Sequence, residues 1–430
     1  MQYYSTNGKA PAVSFREAVF KGLPEDNGLY MPKRIPELKS DFFQEIQQMS
    51  LADIGFAVMQ PFIGNDIPEE ELKNILTETL NFEIPLVKIS DNTYSLELFH
   101  GPTYAFKDVG ARFLARSLSY FCARNDQKLT VLVATSGDTG SAVAQGFYEV
   151  PNIDVIILYP SGGISKFQEQ QMTTLGKNIT ALEVEGVFDD CQRLVKKAFL
   201  DNELNDKLNL TSANSINIAR MLPQSIYYFY GLAQLDPAKL QQVVVSVPSG
   251  NYGNLTAGLI ARKMGLPIKH YIACSNANDT VPKYLKTGQY VAKASVSTVS
   301  NAMDVGDPSN FVRMLDLFSH SHDQMKSSIT GLAYSDIKTK SAINSCYKKT
   351  NYILDPHGAI AYLGLHNYLE KNEGVGIFLE TAHPYKFRQT VEPQISSKLD
   401  PVEIFDDKEK KSVPFQYDFD QFKAFLLNRR

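Results

Sequence analysis

From about Thr130 onward the chain alternates short apolar runs with longer amphipathic stretches. The runs Leu129–Ala134, Val155–Tyr159, Ile179–Val184, Val243–Val247, Tyr271–Cys274 and Val375–Leu379 are dominated by Val, Ile, Leu and Ala. Strands buried on both faces of a parallel sheet require such runs, and the helical patterns between them make the class α/β. Residues 1 to about 90 carry amphipathic helical patterns, among them Asp41–Met49 and Glu69–Leu80, but no chemical motif, so this stretch reads as an N-terminal lobe. The stretch Val296–Thr339 is polar and irregular, and the charge run Asp406–Lys411 predicts a solvated surface. Internal repeats and low-complexity segments are absent from the sequence.

With 430 residues the chain suffices for two or three compact units with sizeable cores. Its 43% hydrophobic and 21% charged residues, with a formal charge of -4, are those of a soluble globular protein and give no footing for nucleic acid. No apolar stretch approaches the roughly 18 residues that span a bilayer, so a membrane partner is not expected. The start, Met1-Gln2-Tyr3-Tyr4, lacks the basic-then-apolar order of a signal peptide, which makes the cytoplasm the expected compartment. Cys122, Cys191, Cys274 and Cys346 are widely spaced, without a CxxC pair or a partnering histidine, so neither a disulfide framework nor a metal site is expected.

Three loops and one lysine carry the candidate chemistry. In Val243–Asn254 an apolar run enters Ser249-Gly-Asn-Tyr-Gly253, and helical composition follows from Leu255 to Met264. Glycines let a backbone approach a phosphate closely, and a helix N-terminus adds N–H donors and positive potential. A plain glycine turn between strand and helix would read the same way. The second unit of this construction, Val131–Gly140, places hydroxyls at Thr135, Ser136 and Thr139 around Gly137, where N–H groups need an anion or a cap, and a substrate carboxylate would fit. Helix capping by Ser136 or Asp138 is the plainer alternative. A third segment, Ser212–Arg220, opens a helix predicted to continue through Gln224 and Tyr230. Asn214 and Ser215 sit at its cap, with Asn217 and Arg220 sharing a face, a donor set suited to a substrate phosphate or to simple capping. Lys107 follows Thr-Tyr-Ala-Phe and precedes a helical pattern from Ala111 to Tyr120. Partial desolvation beside a helix start favours a neutral, nucleophilic amine, as Schiff-base chemistry needs. Thr381, after the last apolar run, stands where a ligand would lie at the carboxyl end of a sheet. His383 reads as a structural residue, and His320 and His322, two apart, as non-ligands.

The stretches FHGPTYAFKD, TSGDTGSAVA, NSINIAR, SVPSGNYGNLTAG and TAHP, with YYSTNG and GLYMP near the start, together resemble the threonine synthases of the long bacterial and fungal form, over nearly the whole chain. The resemblance implies a fold type II pyridoxal-phosphate enzyme, like the tryptophan synthase β subunit, with two sheet domains and an N-terminal lobe. It implies a lobe over 1–95, a large cofactor-binding domain over 96–115 and 221–430, and a small α/β domain over 116–220. It further implies that Lys107 carries pyridoxal 5'-phosphate and is the catalytic base. Ser249, Gly250, Asn251, Tyr252 and Gly253 would hold the cofactor phosphate, and Thr381 would face the pyridine nitrogen. Thr135, Ser136, Gly137 and Thr139 would receive the substrate carboxylate; Asn214, Ser215 and Arg220, with Arg112, the substrate phosphate. Asp138 stands where shorter relatives carry asparagine beside the cofactor's 3'-oxygen; Asn217 or Asn251 are alternatives for contacting the ring. The reaction implied is γ-elimination from O-phospho-L-homoserine and β-addition of water, the last step of threonine biosynthesis, by a cytoplasmic monomer or homodimer. A lyase releasing 2-oxobutyrate and a non-catalytic phosphate-ligand-binding protein are the competing readings.

Overall fold

A computed structural model describes residues 1–124, 128–402 and 408–428. These pack as two compact units. The larger comprises Met1, 31–106 and 221–402, and the smaller comprises 2–30, 107–220 and the C-terminal stretch 408–428.

The larger unit is built on six strands in the order Ile329–Ala333, Ile268–Ser275, Val243–Pro248, Val375–Glu380, Thr93–Glu97, Leu86–Ser90. The first five are parallel and the last is antiparallel to its neighbour. Val243–Pro248 is one of the two central strands and is buried at every position, which is why it reads as an almost continuous apolar run. Helix Pro356–Leu369 covers one face, packing Ile360 and Leu365 onto Val244, Ile272 and Phe378. Gly364 permits that approach, since a Cβ there would fall 2.1 Å from the Cys274 sulfur. The hairpin Leu86–Ser90 and Thr93–Glu97 escapes the sequence reading because polar residues alternate along it. Val296–Thr339 is not irregular as its polarity suggests: it contains helices Phe311–Leu317 and His322–Ser328 and the edge strand Ile329–Ala333. Those helices have seven residues each, too short for an amphipathic period to register.

The smaller unit holds five parallel strands in the order Val413–Phe415, Ile179–Val184, Ile153–Pro160, Leu129–Ala134, Leu210–Ser212. Its helices Lys107–Ala123 and Asp138–Phe147 cross closely, a Cβ on Gly146 falling 3.2 Å from the Ala111 carbonyl carbon. The N-terminal segment contributes helix Phe15–Lys21, started by a capping box between Ser14 and Glu17. In the predicted charge run, Asp406 and Asp407 lie outside the described residues, while Lys410 reaches Glu169 and Glu183 at 2.6 and 2.8 Å. No helix among the described residues is long and apolar enough to cross a membrane.

Candidate active site

In the smaller unit, Lys107 is the first residue of its helix, four positions ahead of the predicted Ala111 start. Its side chain is 14% exposed, and its Nζ lies 3.9 Å from Asp138 Oδ2. Asp138 in turn opens helix Asp138–Phe147 and accepts from Gln168 Nε2 at 2.9 Å. Two helix starts therefore converge on one amine and one carboxylate.

The loop before Asp138 is shaped by its own threonine. Thr135 Oγ1 accepts from the N–H groups of Gly137 and Gly140 at 2.9 and 2.8 Å, so that hydroxyl is committed to folding the loop. Gly137 sits at φ +127°, and a Cβ there would strike Gln168 at 2.5 Å. Ser136 and Thr139 are half-buried. Neither Ser136 nor Asp138 caps the helix; the cap position is Gly137.

Asn214 through Asn217 form a turn, not the opening of a long helix. Ile218–Met221 is a single helical turn, because Pro223 lacks the N–H that would continue it, and a 3-10 turn carries the chain to Ile226–Ala233. Asn217 and Arg220 accordingly do not share a helical face. Asn217 is buried, with Nδ2 donating to the carbonyls of Val19 and Ser212 at 3.0 Å each. Asn214 Nδ2 donates to the Ala134 carbonyl at 2.9 Å, and Ser215 is half-buried beside it. Arg220 is 2% exposed, and its Nη1 donates to the Ala213 carbonyl. Burial lowers its guanidinium to about 10 against the opposing charge of Asp108. Gly110 makes room for it, since a Cβ there would fall 2.4 Å from the Arg220 carbonyl oxygen. Arg112, half-buried, lies on the same helix as Lys107.

In the larger unit, strand Val243–Pro248 runs into Ser249–Tyr252, and helix Gly253–Lys263 follows. Ser249 N–H donates to the Cys274 carbonyl at 2.7 Å, and the Tyr252 hydroxyl is 2.7 Å from Ser275 Oγ. Tyr252 adopts the left-handed conformation at φ 62°, turning the chain into the helix. Asn251 Oδ1 accepts from Ser309 N–H at 2.6 Å, which commits that oxygen to the neighbouring segment. At Gly250 a Cβ would lie 2.7 Å from Met303 Cα, so only glycine fits.

One residue of this cradle escapes the sequence reading. Asn254 Oδ1 accepts from the hydroxyls of Tyr227 and Tyr228 at 2.7 and 2.6 Å. Burial raises both phenols well above their ordinary range, so both stay protonated and donate. That fixes the amide with Nδ2 as a buried donor lacking a partner among the described residues. An orphaned buried donor in the first turn of a helix is the signature of an absent acceptor.

Thr381, 5% exposed, follows the last residue of Val375–Glu380. Behind it Glu380, wholly buried, accepts from Asp355 N–H at 2.5 Å, and Asp355 holds the His357 Nδ1 at 2.5 Å and the Gly358 N–H at 3.0 Å. Burial and the Asp355 charge push the Glu380 carboxyl well up. A carboxylate ending an apolar run reads as exposed, so nothing in the sequence marks this pair. His383 is structural: its Nδ1 accepts from Tyr385 N–H at 3.2 Å, and burial lowers it to about 4.

Comparison with known proteins adds an independent line. The family model described as threonine synthase N terminus matches residues 2–80, and that described as pyridoxal-phosphate dependent enzyme matches residues 85–378. The threonine synthase of Haemophilus influenzae is 45% identical across 99% of this chain and 100% of its own. The crystal structure of threonine synthase from Escherichia coli superposes with a TM-score of 0.94 at 42% identity, covering 100% of both chains. The pyridoxal-phosphate-bound threonine synthase from Brucella melitensis does so at 0.92 and 33%, covering 100% of this chain and 99% of that one.

Proposed function

The chain belongs to the threonine synthases, within the fold type II pyridoxal-phosphate-dependent enzymes, and on that premise we propose that it converts O-phospho-L-homoserine and water into L-threonine and phosphate. The observation that carries the cofactor assignment is the orphaned Asn254 Nδ2 in the first turn after Ser249–Gly253. A cradle with a tight glycine, a helix N-terminus and a spare buried donor fits a phosphate monoester. Ser249, Gly250, Asn251, Tyr252 and Gly253 would hold that phosphate, and the Thr381 hydroxyl would face the pyridine nitrogen. Bound pyridoxal phosphate supplies an electron sink for charge developing on the substrate carbon.

The remaining chemistry falls to this chain's own groups. Lys107 Nζ would serve as the base for the α-proton and would later return a proton. Asp138, 3.9 Å away, favours the protonated amine and so steadies Lys107 between those transfers. Ser136, Gly137 and Thr139, on a loop folded by Thr135, would bind the substrate carboxylate. Asn214, Ser215 and Arg220, with Arg112 nearby on the lysine helix, would hold the departing phosphate as its charge grows. Because the Asp138 carboxylate repels anions, the loop's N–H groups and hydroxyls, not Asp138, would contact the carboxylate.

The division into a lobe over 1–95, a large domain over 96–115 and 221–430 and a small domain over 116–220 is part of the same proposal, and the matching family model changes between residues 80 and 85, somewhat before its first boundary. So are a cytoplasmic site of action, a monomer or homodimer, and the absence of nucleic-acid and membrane partners. Incubation with O-phospho-L-homoserine tests the reaction: threonine and phosphate should appear in equal amounts. Ammonia and 2-oxobutyrate as main products would replace the synthase with a lyase.

A further inference from the structure

Beyond the cradle itself, one carboxylate in the larger unit gathers an unusual number of donors. Asp304 Oδ1 accepts from Asn276 Nδ2 at 2.8 Å, Thr298 Oγ1 at 2.7 Å and Asn278 Nδ2 at 3.2 Å, and Oδ2 accepts from Thr298 N–H at 2.9 Å. Asn276 and Asn278 follow directly on strand Ile268–Ser275, so they are anchored at the same end of the sheet as Ser249. Asn276 Nδ2 also reaches Ser300 Oγ at 3.1 Å, which ties both ends of the short 3-10 turn Asn301–Met303 to one point. That turn is the wall against which Gly250 rests: a Cβ on Gly250 would meet Met303 Cα at 2.7 Å and the Ala302 carbonyl oxygen at 3.0 Å.

We propose that Asp304 is a positioning residue for the phosphate loop: by collecting Asn276, Asn278 and Thr298 it holds Asn301–Met303 in place, and that wall sets the path of Gly250 and the direction of the loop's N–H groups. The inference rests on reading Ser249–Gly253 as the phosphate cradle. Four donors converging on one carboxylate offset the cost of burying it and make the arrangement stiff. Burial pushes this carboxyl up and outweighs the opposing Thr298 and Asn276 bonds and the charge of His357, leaving it raised to about 6. An amide in its place keeps one acceptor oxygen but puts an NH₂ where the other was, so that at the least the Thr298 N–H loses its acceptor.

The test uses full-length apoprotein of the parent, Asp304→Asn and the milder Thr298→Val, titrated with pyridoxal 5'-phosphate and, separately, with pyridoxal, following the visible absorbance of the bound cofactor. Asp304→Asn should bind pyridoxal 5'-phosphate about tenfold more weakly or worse, with a smaller loss in Thr298→Val, while pyridoxal affinity stays within about twofold of the parent. A general loss of structure would weaken both ligands alike, and that result, or unchanged affinity for the phosphorylated one, overturns the inference. If Asp304→Asn does not fold, the two affinities of Thr298→Val decide alone. Gly250→Ala separates the two readings. Should it too leave pyridoxal 5'-phosphate binding unchanged, the cradle assignment falls. Should it weaken binding while the Asp304 and Thr298 variants do not, only the role of Asp304 falls.

Discussion

The main-chain N–H of Phe106 donates to the carbonyl oxygen of Thr381 at 3.0 Å. The residue before Lys107 is thereby held in register with the residue after the last strand, and the bridge between Ala105 and Ala382 and the His383 N–H to the Tyr104 carbonyl, at 3.0 Å, reinforce it. The carbonyl of Thr381 is occupied in this way, and its hydroxyl is the side-chain group with chemistry to offer. Thr381→Val keeps the backbone bond and removes the hydroxyl. Turnover is expected to fall by about tenfold, the worth of one hydrogen bond, with cofactor still bound. An unchanged kcat would remove Thr381 from the reaction.

Lys107→Ala should leave a folded chain with no covalently retained cofactor and turnover lowered by at least about a thousandfold. Asp138→Asn probes the same amine more gently. With its carboxylate gone from 3.9 Å, the ammonium is less favoured, so the pH midpoint for cofactor capture by Lys107 should move down. A spectroscopic pH titration of apoprotein with pyridoxal phosphate reads it, and a midpoint that stays put or rises would contradict the ion pair.

Glu380 gives the stability of the larger unit a pH dependence of definite sign. Its carboxyl is raised well above the ordinary glutamate range by burial and by Asp355. Below the unfolded value both states carry the proton and the term is flat. Above it, up to the folded value, the native state holds one proton more than the unfolded state, and stability falls as pH rises, by at most about 1.4 kcal/mol per pH unit. Glu380→Gln keeps a neutral acceptor for Asp355 N–H and abolishes the titration. Urea melts between about pH 5 and 8 should show a flatter slope for the variant and equal or greater stability at the alkaline end. A slope matching the parent's would place the titration elsewhere.

Asn217 is expected to act on stability and not on the cofactor ring. Its Nδ2 serves two buried carbonyls, those of Val19 and Ser212, and its Oδ1 accepts from Ala219 N–H at 3.1 Å. Asn217→Ala strands those groups and should cost about 2–3 kcal/mol in denaturant melts. A loss below about 0.5 kcal/mol would mean that water replaces the amide without penalty.

Much of the larger architecture was legible because strands buried on both faces must be apolar at nearly every position: Val243–Pro248 and Val375–Glu380 announced themselves so. Lys107 and the glycine loops were legible because helix starts and close backbone approach restrict residue type locally. Polar alternation hid the hairpin at Leu86–Glu97, and shortness hid the helices of 311–328. The helix expected to open at Ser212–Arg220 and continue through Tyr230 is broken at Leu222–Ser225, because the effect of Pro223 depends on how the chain is then packed.

What the amino-acid sequence determined by itself was therefore the α/β class, the glycine loops between strand and helix and the place of Lys107 near a helix start, all set by residue type within a few neighbours. Only the tertiary structure decided that Asn254 offers a donor with no partner among the described residues, that Thr135 spends its hydroxyl on its own loop, that Glu380 sits against Asp355, and that the residue before Lys107 is bonded to Thr381. Each of these is a question of which polar group is left after its neighbours have been satisfied. Those neighbours, Tyr227 for Asn254 and Asp355 for Glu380, lie 27 and 25 residues away along the chain, so burial and pairing, not local composition, settle the answer.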